Sequence, residues 1–145
     1  MNCNYVSTET LYWLMLRVNE MQNIESSAKS AKDVVMEYLL AAERRDFQSA
    51  RGYVSDNISY VSPLNSFDRA EPYMKYFEHQ VRGVGEPKFD IKKIFADSND
   101  VCILQEIKIG TPPVASLVCF WFHVDDGKIS SIRVVLDPRP YVQQK

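Results

Sequence analysis

The sequence is poor in the residues that metal centres and disulfide frameworks require. Its 145 residues include only three cysteines and two histidines. The cysteines, Cys3, Cys102 and Cys119, are far apart and form no CxxC pair. No carboxylate stands at ligand spacing from either histidine, His79 or His123, so neither a metal site nor any other cofactor is predicted. Free thiols in odd number are typical of a reducing compartment, and a cytoplasmic location is expected.

An excess of charge and a long apolar run are also missing. Lys and Arg number 17 against 19 Asp and Glu, which gives a net charge of -2. Without a basic face, nucleic acid is not expected as a partner. The apolar run LYWLMLRV, residues 11–18, is too short to span a bilayer and lacks the features of a signal peptide, so no membrane association is expected.

The amino-terminal segment, residues 1–26, allows two interpretations. It can form a peripheral helix that packs on the domain or on a partner subunit. Alternatively, Met21 is the natural start of the chain. The segment is treated as an extension of a single domain that comprises residues 27–145.

Apolar residues recur at helical spacing in three segments that follow the extension. In the first of these they share one face, made of Val34, Val35, Tyr38, Leu39 and Ala42. Ser30 is a suitable N-cap for this helix, and Asp46 is one for a short second helix. A third helix has aromatic residues on one side and ends at Gly83.

The remaining segments alternate as strands do. One strand around Ile58 and Tyr60 follows the second helix, and Asp56 and Asn57 mark a turn before it. Four more strand-like runs, residues 88–96, 100–109, 114–124 and 128–136, are separated by short turn sequences. Such short connections imply antiparallel neighbours. The sequence therefore predicts an α+β fold, with three helices packed in a curved, mostly antiparallel sheet.

This order of elements, together with the segment from Tyr38 to Pro63, resembles the nuclear transport factor 2-like superfamily and its SnoaL-like members. The resemblance covers residues 28 to 138, nearly the whole domain. It implies a cone-shaped α+β barrel. Ketosteroid isomerases, limonene epoxide hydrolases, polyketide cyclases and non-enzymes all share this fold, so the resemblance implies architecture rather than one reaction.

Compared with the isomerase pattern, the chain keeps one of three functional groups. Tyr38 matches the first-helix tyrosine that donates a hydrogen bond to the substrate oxygen. Ser62 replaces the proton-shuttling aspartate before the proline matched by Pro63. Cys119 replaces the second aspartate, eight residues before the glycine matched by Gly127. A serine without an activating partner is too weak a base, so steroid isomerisation by this machinery is not expected.

Two other residues are candidates for proton transfer. The aspartate of the epoxide hydrolase pattern falls on Val134, which cannot activate water. Asp137 resembles the acid that SnoaL-like cyclases carry near the end of the last strand, although strict alternation from Val134 turns it outward. His123 is the group most easily tuned to neutral pH, or else a solvated rim residue. An enzyme of isomerase, cyclase or hydratase type would use Tyr38 to orient an oxygen and Asp137 or His123 to carry the proton.

The same alignment predicts which strand residues point inward. The candidate ligand-binding residues among them are Tyr60, Ser62, Gln105, Cys119, Trp121 and Val134. Such a mixture of apolar and isolated polar side chains is typical of a pocket for a small hydrophobic molecule, although the same side chains can simply fill a small barrel. For Tyr38 and Cys119 the alternatives are a core tyrosine and an inert buried cysteine.

The opposite face of the last strands is predicted to be strongly apolar, with Val118, Phe120, Phe122 and Val135 pointing outward. Such a face is not left in water, and we expect a homodimer that covers it. The function expected from the sequence is therefore small-molecule binding with proton transfer, or a non-catalytic module that dimerises or senses a ligand.

Overall fold

The computed structural model describes Tyr12 and residues 29–83, 89–109 and 112–142. The peripheral helix predicted within residues 1–26, and the question of Met21, lie outside these residues apart from Tyr12. No helix of the described part is long and apolar enough to cross a membrane.

The helices of the described chain are α1 (Ala31–Glu43), α2 (Phe47–Gly52), α3 (Ala70–Gly83) and the short α4 (Arg139–Val142). Both predicted N-caps are confirmed. The Ser30 hydroxyl accepts from the Asp33 amide at 3.2 Å while the Asp33 carboxylate accepts from the Ser30 amide at 3.3 Å, which closes a capping box. Asp46 accepts from the Ser49 amide at 3.0 Å. The apolar face predicted for α1 is buried in the core.

Six strands form one sheet: β1 (Val54–Val61), β2 (Ser66–Phe67), β3 (Asp90–Asp97), β4 (Asp100–Ile109), β5 (Val114–Asp125) and β6 (Lys128–Val135). Their order is β2-β1-β6-β5-β4-β3. The β1–β6 pair is parallel and the other pairs are antiparallel. The predicted α+β class and mostly antiparallel sheet are confirmed, and the sheet is open rather than closed into a barrel. We call the side packed on the helices the inner face and the other side the outer face.

The turn predicted at Asp56 and Asn57 is wrong, because both residues lie within β1. The pairing of β1 with β6 shifts in register between Val54 and Ser59. An irregular strand can hold polar residues such as these without leaving the sheet.

The β5–β6 hairpin turns on Asp126 and Gly127, whose φ angles are 49° and 71°. Two consecutive positive φ angles are what a tight hairpin turn requires, and Asp-Gly is a favoured pair for it. Beyond the turn, Val124 pairs with Ile129 but His123 pairs with Ser131. Ser130 is therefore an extra residue, a β-bulge that moves the register of the two strands by one.

Because of this bulge, the inner and outer faces of β5 are the reverse of those predicted from the sequence. An unbulged hairpin would place Trp121 opposite Ile132 and Cys119 opposite Val134. In the structure those two partners are Phe122 and Phe120, so Phe120 and Phe122 point inward together with Val118.

A one-residue shift turns every side chain of a strand to its other face. The predicted inward positions of Cys119 and Trp121 are therefore wrong, and so are the predicted outward positions of Val118, Phe120 and Phe122. Val135 is outward as predicted, with 66% of its surface exposed.

Candidate functional site

A cavity of about 840 Å³ lies between α1, α3 and the inner face of the sheet. Its buried lining residues are almost all apolar or aromatic, and they come from both helices and from β1, β4, β5 and β6: Tyr38, Leu39, Tyr60, Tyr73, Val81, Ile103, Gln105, Val118, Phe122, Ile132 and Val134. This size and composition are typical of a small-molecule site.

Two tyrosine hydroxyls meet in this cavity. Tyr38 of α1 and Tyr73 of α3 lie 2.6 Å apart, oxygen to oxygen, and both residues are almost fully buried. Burial raises the pKa of both phenols, so both stay neutral in water near pH 7. One hydroxyl must donate to the other, which leaves the accepting hydroxyl with a hydrogen of its own. The pair can therefore donate one hydrogen bond to a ligand oxygen.

Aromatic rings build one wall around this tyrosine pair. Phe77 stacks on Tyr38 with ring centroids 5.0 Å apart and on Tyr73 at 5.9 Å. Tyr60 of β1 packs against Tyr73 at 5.0 Å and Tyr76 at 5.7 Å. These contacts follow from the spacing of Tyr73, Tyr76 and Phe77 on α3, which places all three rings on one helix face. The wall fixes the orientation of the two hydroxyls.

Gln105 brings a buried side-chain amide to the lining. The residue is 8% exposed, and the described residues give its side-chain amide no hydrogen-bond partner. No fully enclosed polar side-chain atom lacks a partner in the described residues, so the amide remains accessible from the cavity. An amide in this position can both donate to and accept from a ligand.

Ser62 also lines the cavity, but its hydroxyl serves a turn. It accepts hydrogen bonds from the amides of Leu64 and Asn65 at 3.2 and 3.0 Å and donates one to the Asn65 carbonyl at 3.1 Å. Tyr60 and Val134 line the cavity as predicted. Ser62 is thus placed at the site while its hydroxyl is already committed to the chain.

The lining residues that carry a carboxylate, an amine or an imidazole are not buried. Glu106 is half-buried, and His79, Asp90 and Lys108 are exposed. In the described lining, the buried part therefore holds no carboxylate and no imidazole. Proton transfer deep in the cavity has no evident carrier, because the buried phenols are weaker acids than free tyrosine.

The two predicted proton carriers lie elsewhere. His123 is half-buried, and its Nδ1 lies 3.0 Å from the Asp100 carboxylate, which also accepts from the Trp121 indole at 2.7 Å. These contacts, with His123 the larger effect, lower the pKa of Asp100. Neither His123 nor Trp121 lines the cavity.

Asp137 follows β6, is exposed and does not line the cavity. Its carboxylate accepts from the Arg139 guanidinium at 2.9 Å and from the Arg139 amide at 3.0 Å, which lowers its pKa to about 2. A carboxylate held this strongly in its ionised form is a poor proton donor at neutral pH. The structure therefore does not bring Asp137 together with Tyr38.

Several cavity residues were not predicted as site residues. The sequence predicts Tyr73 and Phe77 on one face of the third helix without a role, and their spacing does not show that this face packs against Tyr38. Val118, Phe120 and Phe122 were assigned to the outer face. No local signal in β5 distinguishes its two faces, because apolar residues occupy both.

Solved structures with the same architecture include proteins with and without an assigned reaction. An NTF2-like protein of unknown function from Cytophaga hutchinsonii is 24% identical, with a TM-score of 0.68 over 81% of this chain and 99% of the other. An LEH-like epoxide hydrolase from M. tuberculosis is 24% identical, with a TM-score of 0.62 over 75% and 84%. A de novo designed protein with a curved β-sheet is 20% identical, with a TM-score of 0.64 over 78% and 89%.

These likenesses define the fold as NTF2-like, and at such identities they carry no reaction with them. The model of the SnoaL-like domain family matches residues 35–132, more than half of the chain, so the protein belongs to that family. No curated protein is detectably similar to it in sequence. The resemblance seen in the sequence is confirmed.

Proposed function

We propose that this SnoaL-like protein binds a small, neutral, largely hydrophobic molecule in the cavity between α1, α3 and the sheet. The observation that carries the proposal is the cavity itself, about 840 Å³ of space walled by buried aromatic and aliphatic side chains. A core that merely filled the fold would close around these side chains to interior packing density.

The polar groups indicate the chemistry of the ligand. The tyrosine pair offers one hydrogen-bond donor, and the Gln105 amide offers a donor and an acceptor. A ligand with a carbonyl or ether oxygen near the tyrosines matches this arrangement. A charged group would be desolvated in the buried part of the cavity with no partner of opposite charge, so a neutral ligand is favoured.

Binding without turnover is the form of this function that we favour. The isomerase aspartates are replaced, and the candidate carriers Asp137 and His123 are engaged with Arg139 and Asp100 outside the cavity. His79 is the one imidazole of the described lining, and it lies at an exposed position. The buried lining itself offers neither a carboxylate nor an imidazole to carry a proton.

The neutral fluorescent probe N-phenyl-1-naphthylamine tests the proposal, since its emission rises in apolar surroundings. Val134 lines the cavity at 7% exposure, whereas its neighbour Val135 points outward at 66%. Val134→Phe should project an aromatic ring into the cavity and weaken probe binding by about tenfold or more, which corresponds to about 1.4 kcal/mol. Val135→Phe makes the same change on the outer face and should leave the probe affinity unchanged.

Circular dichroism and thermal unfolding establish that both variants are folded. Equal effects of the two substitutions on the probe, or no saturable binding by the wild type, would contradict the proposal. Native mass spectrometry of the protein purified from its host then searches for a retained ligand, whose mass should be lost in Val134→Phe.

A second candidate function, a dimerising module, rests on the outer face of the sheet. Leu117, Trp121 and Val135 are 61%, 48% and 66% exposed on adjacent strands, and Phe95 is 55% exposed nearby. Contiguous apolar side chains on this scale mark an interaction surface. A second copy of the chain, apposing the same face, is the occupant proposed for it. The two functions are compatible, because the cavity opens on the other side of the sheet.

A further inference from the structure

Two cysteines lie side by side on the outer face, away from the cavity. In the β4–β5 ladder, Cys102 pairs with Trp121 and Leu104 pairs with Cys119. Cys102 and Cys119 are therefore diagonal neighbours on the same face of adjacent strands. Both are free and half-buried. They form a dithiol held by two of the longest strands of the sheet.

Cys119 affects the pKa of the Cys102 thiol. Burial, and after it the charge that the Cys119 thiol would carry, raises the pKa of Cys102. The register of β4 and β5 independently places the two side chains next to each other on the same face. Two cations share the face, Lys93 opposite Leu104 and Arg133 opposite Trp121, and Asp100 with His123 lies on the other side of Cys102.

The geometry favours a bridging ion over a disulfide. Diagonal residues in an antiparallel pair have Cα atoms roughly 7–8 Å apart. A disulfide needs a separation below about 7 Å, so forming one would require the strands to move. An ion bonded to both sulfurs, with metal–sulfur bonds of about 2.3 Å, bridges a wider gap without that movement.

The number of protein ligands available at this pair of cysteines indicates which kind of metal ion it can bind. In the described residues no group of three or more His, Cys, Asp or Glu side chains is placed to hold a metal. Zinc sites use four ligands, or three and a water, whereas a soft monovalent ion is satisfied by two thiolates. We infer that Cys102 and Cys119 form a binding site for a soft monovalent metal ion of the Cu⁺ or Ag⁺ class.

Binding exchanges protons for the metal. Two thiols and one monovalent cation give an anionic bis-thiolate complex and release two protons, with no electron transfer. The flanking Lys93 and Arg133 side chains compensate the single negative charge that remains. No oxidant or reductant takes part in the step.

Silver ion, which is stable to oxidation, tests the site in the full-length chain. Native mass spectrometry of the Cys3→Ser variant should show one Ag⁺ per chain. In a separate titration, Ag⁺ should quench the fluorescence of Trp121, the pairing partner of Cys102. Trp121→Phe identifies the source of that signal, because the chain has two tryptophans. Zn²⁺ at the same concentration should not bind.

Cys102→Ser and Cys119→Ser should each lower the Ag⁺ affinity by at least the 10–100-fold that is lost when the outer shell of a metal site is changed. Circular dichroism confirms that each variant is folded. Retained affinity in either variant would overturn the site. One ion per two chains would also overturn it, because the ligands would then come from two copies.

Discussion

The hydroxyl groups of Tyr38 and Tyr73 lie 2.6 Å apart and join α1 to α3 across 35 positions of sequence, inside a cavity whose buried lining is mostly apolar. The pair performs two tasks. It satisfies two buried polar groups with each other, and it leaves one hydroxyl hydrogen for a ligand. A polar site is thus maintained in a core without any buried charge.

Removing either hydroxyl should destabilise the fold. Tyr38→Phe and Tyr73→Phe each leave one buried hydroxyl without its partner, at an expected cost of about 1–2 kcal/mol in the free energy of unfolding. The double variant leaves no orphan and should cost less than the sum of the two. Urea denaturation of the four proteins measures this coupling. Strict additivity would show that the two hydroxyls do not depend on each other.

Alkaline pH should weaken the fold through the same pair. Because burial raises the pKa of Tyr38 and Tyr73, the unfolded chain loses these protons first, above its ordinary pKa of about 10. The stability they contribute is complete below pH 10 and declines as the pH rises above it. Unfolding free energies from pH 8.5 to 11 should therefore fall more steeply for the wild type than for the Tyr38→Phe/Tyr73→Phe double variant. Parallel curves would exclude this effect.

Asp137 should prove dispensable for ligand binding. Its carboxylate is held by Arg139 outside the cavity, so Asp137→Asn should leave the affinity for N-phenyl-1-naphthylamine unchanged. Since its pKa is lowered to about 2, the contribution of the pair to stability is present above the ordinary pKa of about 3.9 and is lost as the pH falls toward 2. The variant should accordingly lose less stability than the wild type over that range. A folded Asp137→Asn variant with reduced probe affinity would show that Asp137 contributes to ligand binding.

Substitutions at two neighbouring residues of β5 should affect assembly and folding separately. Leu117 is 61% exposed on the outer face, and Val118 is fully buried on the inner face. Leu117→Asp should give a folded monomer, while Val118→Asp should unfold the domain because a buried unpaired charge costs several kcal/mol. Sedimentation at micromolar concentration and circular dichroism measure the two effects. If the wild type sediments as a monomer, the proposed dimer is contradicted. If Val118→Asp is folded, the register described for β5 is contradicted.

Much of the candidate site follows from local patterns. The helical spacing around Tyr38 places it on the buried face of α1, and the family resemblance, followed along the alternation of β4 and β6, places Gln105 and Val134 on the cavity side. The pairing of Tyr38 with Tyr73 was not predictable in this way. It depends on how α3 packs against α1, and the spacing within either helix does not contain that information.

The sequence by itself determined the elements of this protein, because capping residues, turn residues and hydrophobic periodicity act within a few positions of the chain. The Asp126–Gly127 turn is such a local feature, and it fixes where β5 and β6 reverse. Only the tertiary structure decided which face of β5 is buried. The extra residue at Ser130 shifts the pairing by one, and in a strand with two apolar faces the packing against the helices alone makes that choice. That shift directs Phe120 and Phe122 into the cavity and leaves Cys119 and Trp121 outside it.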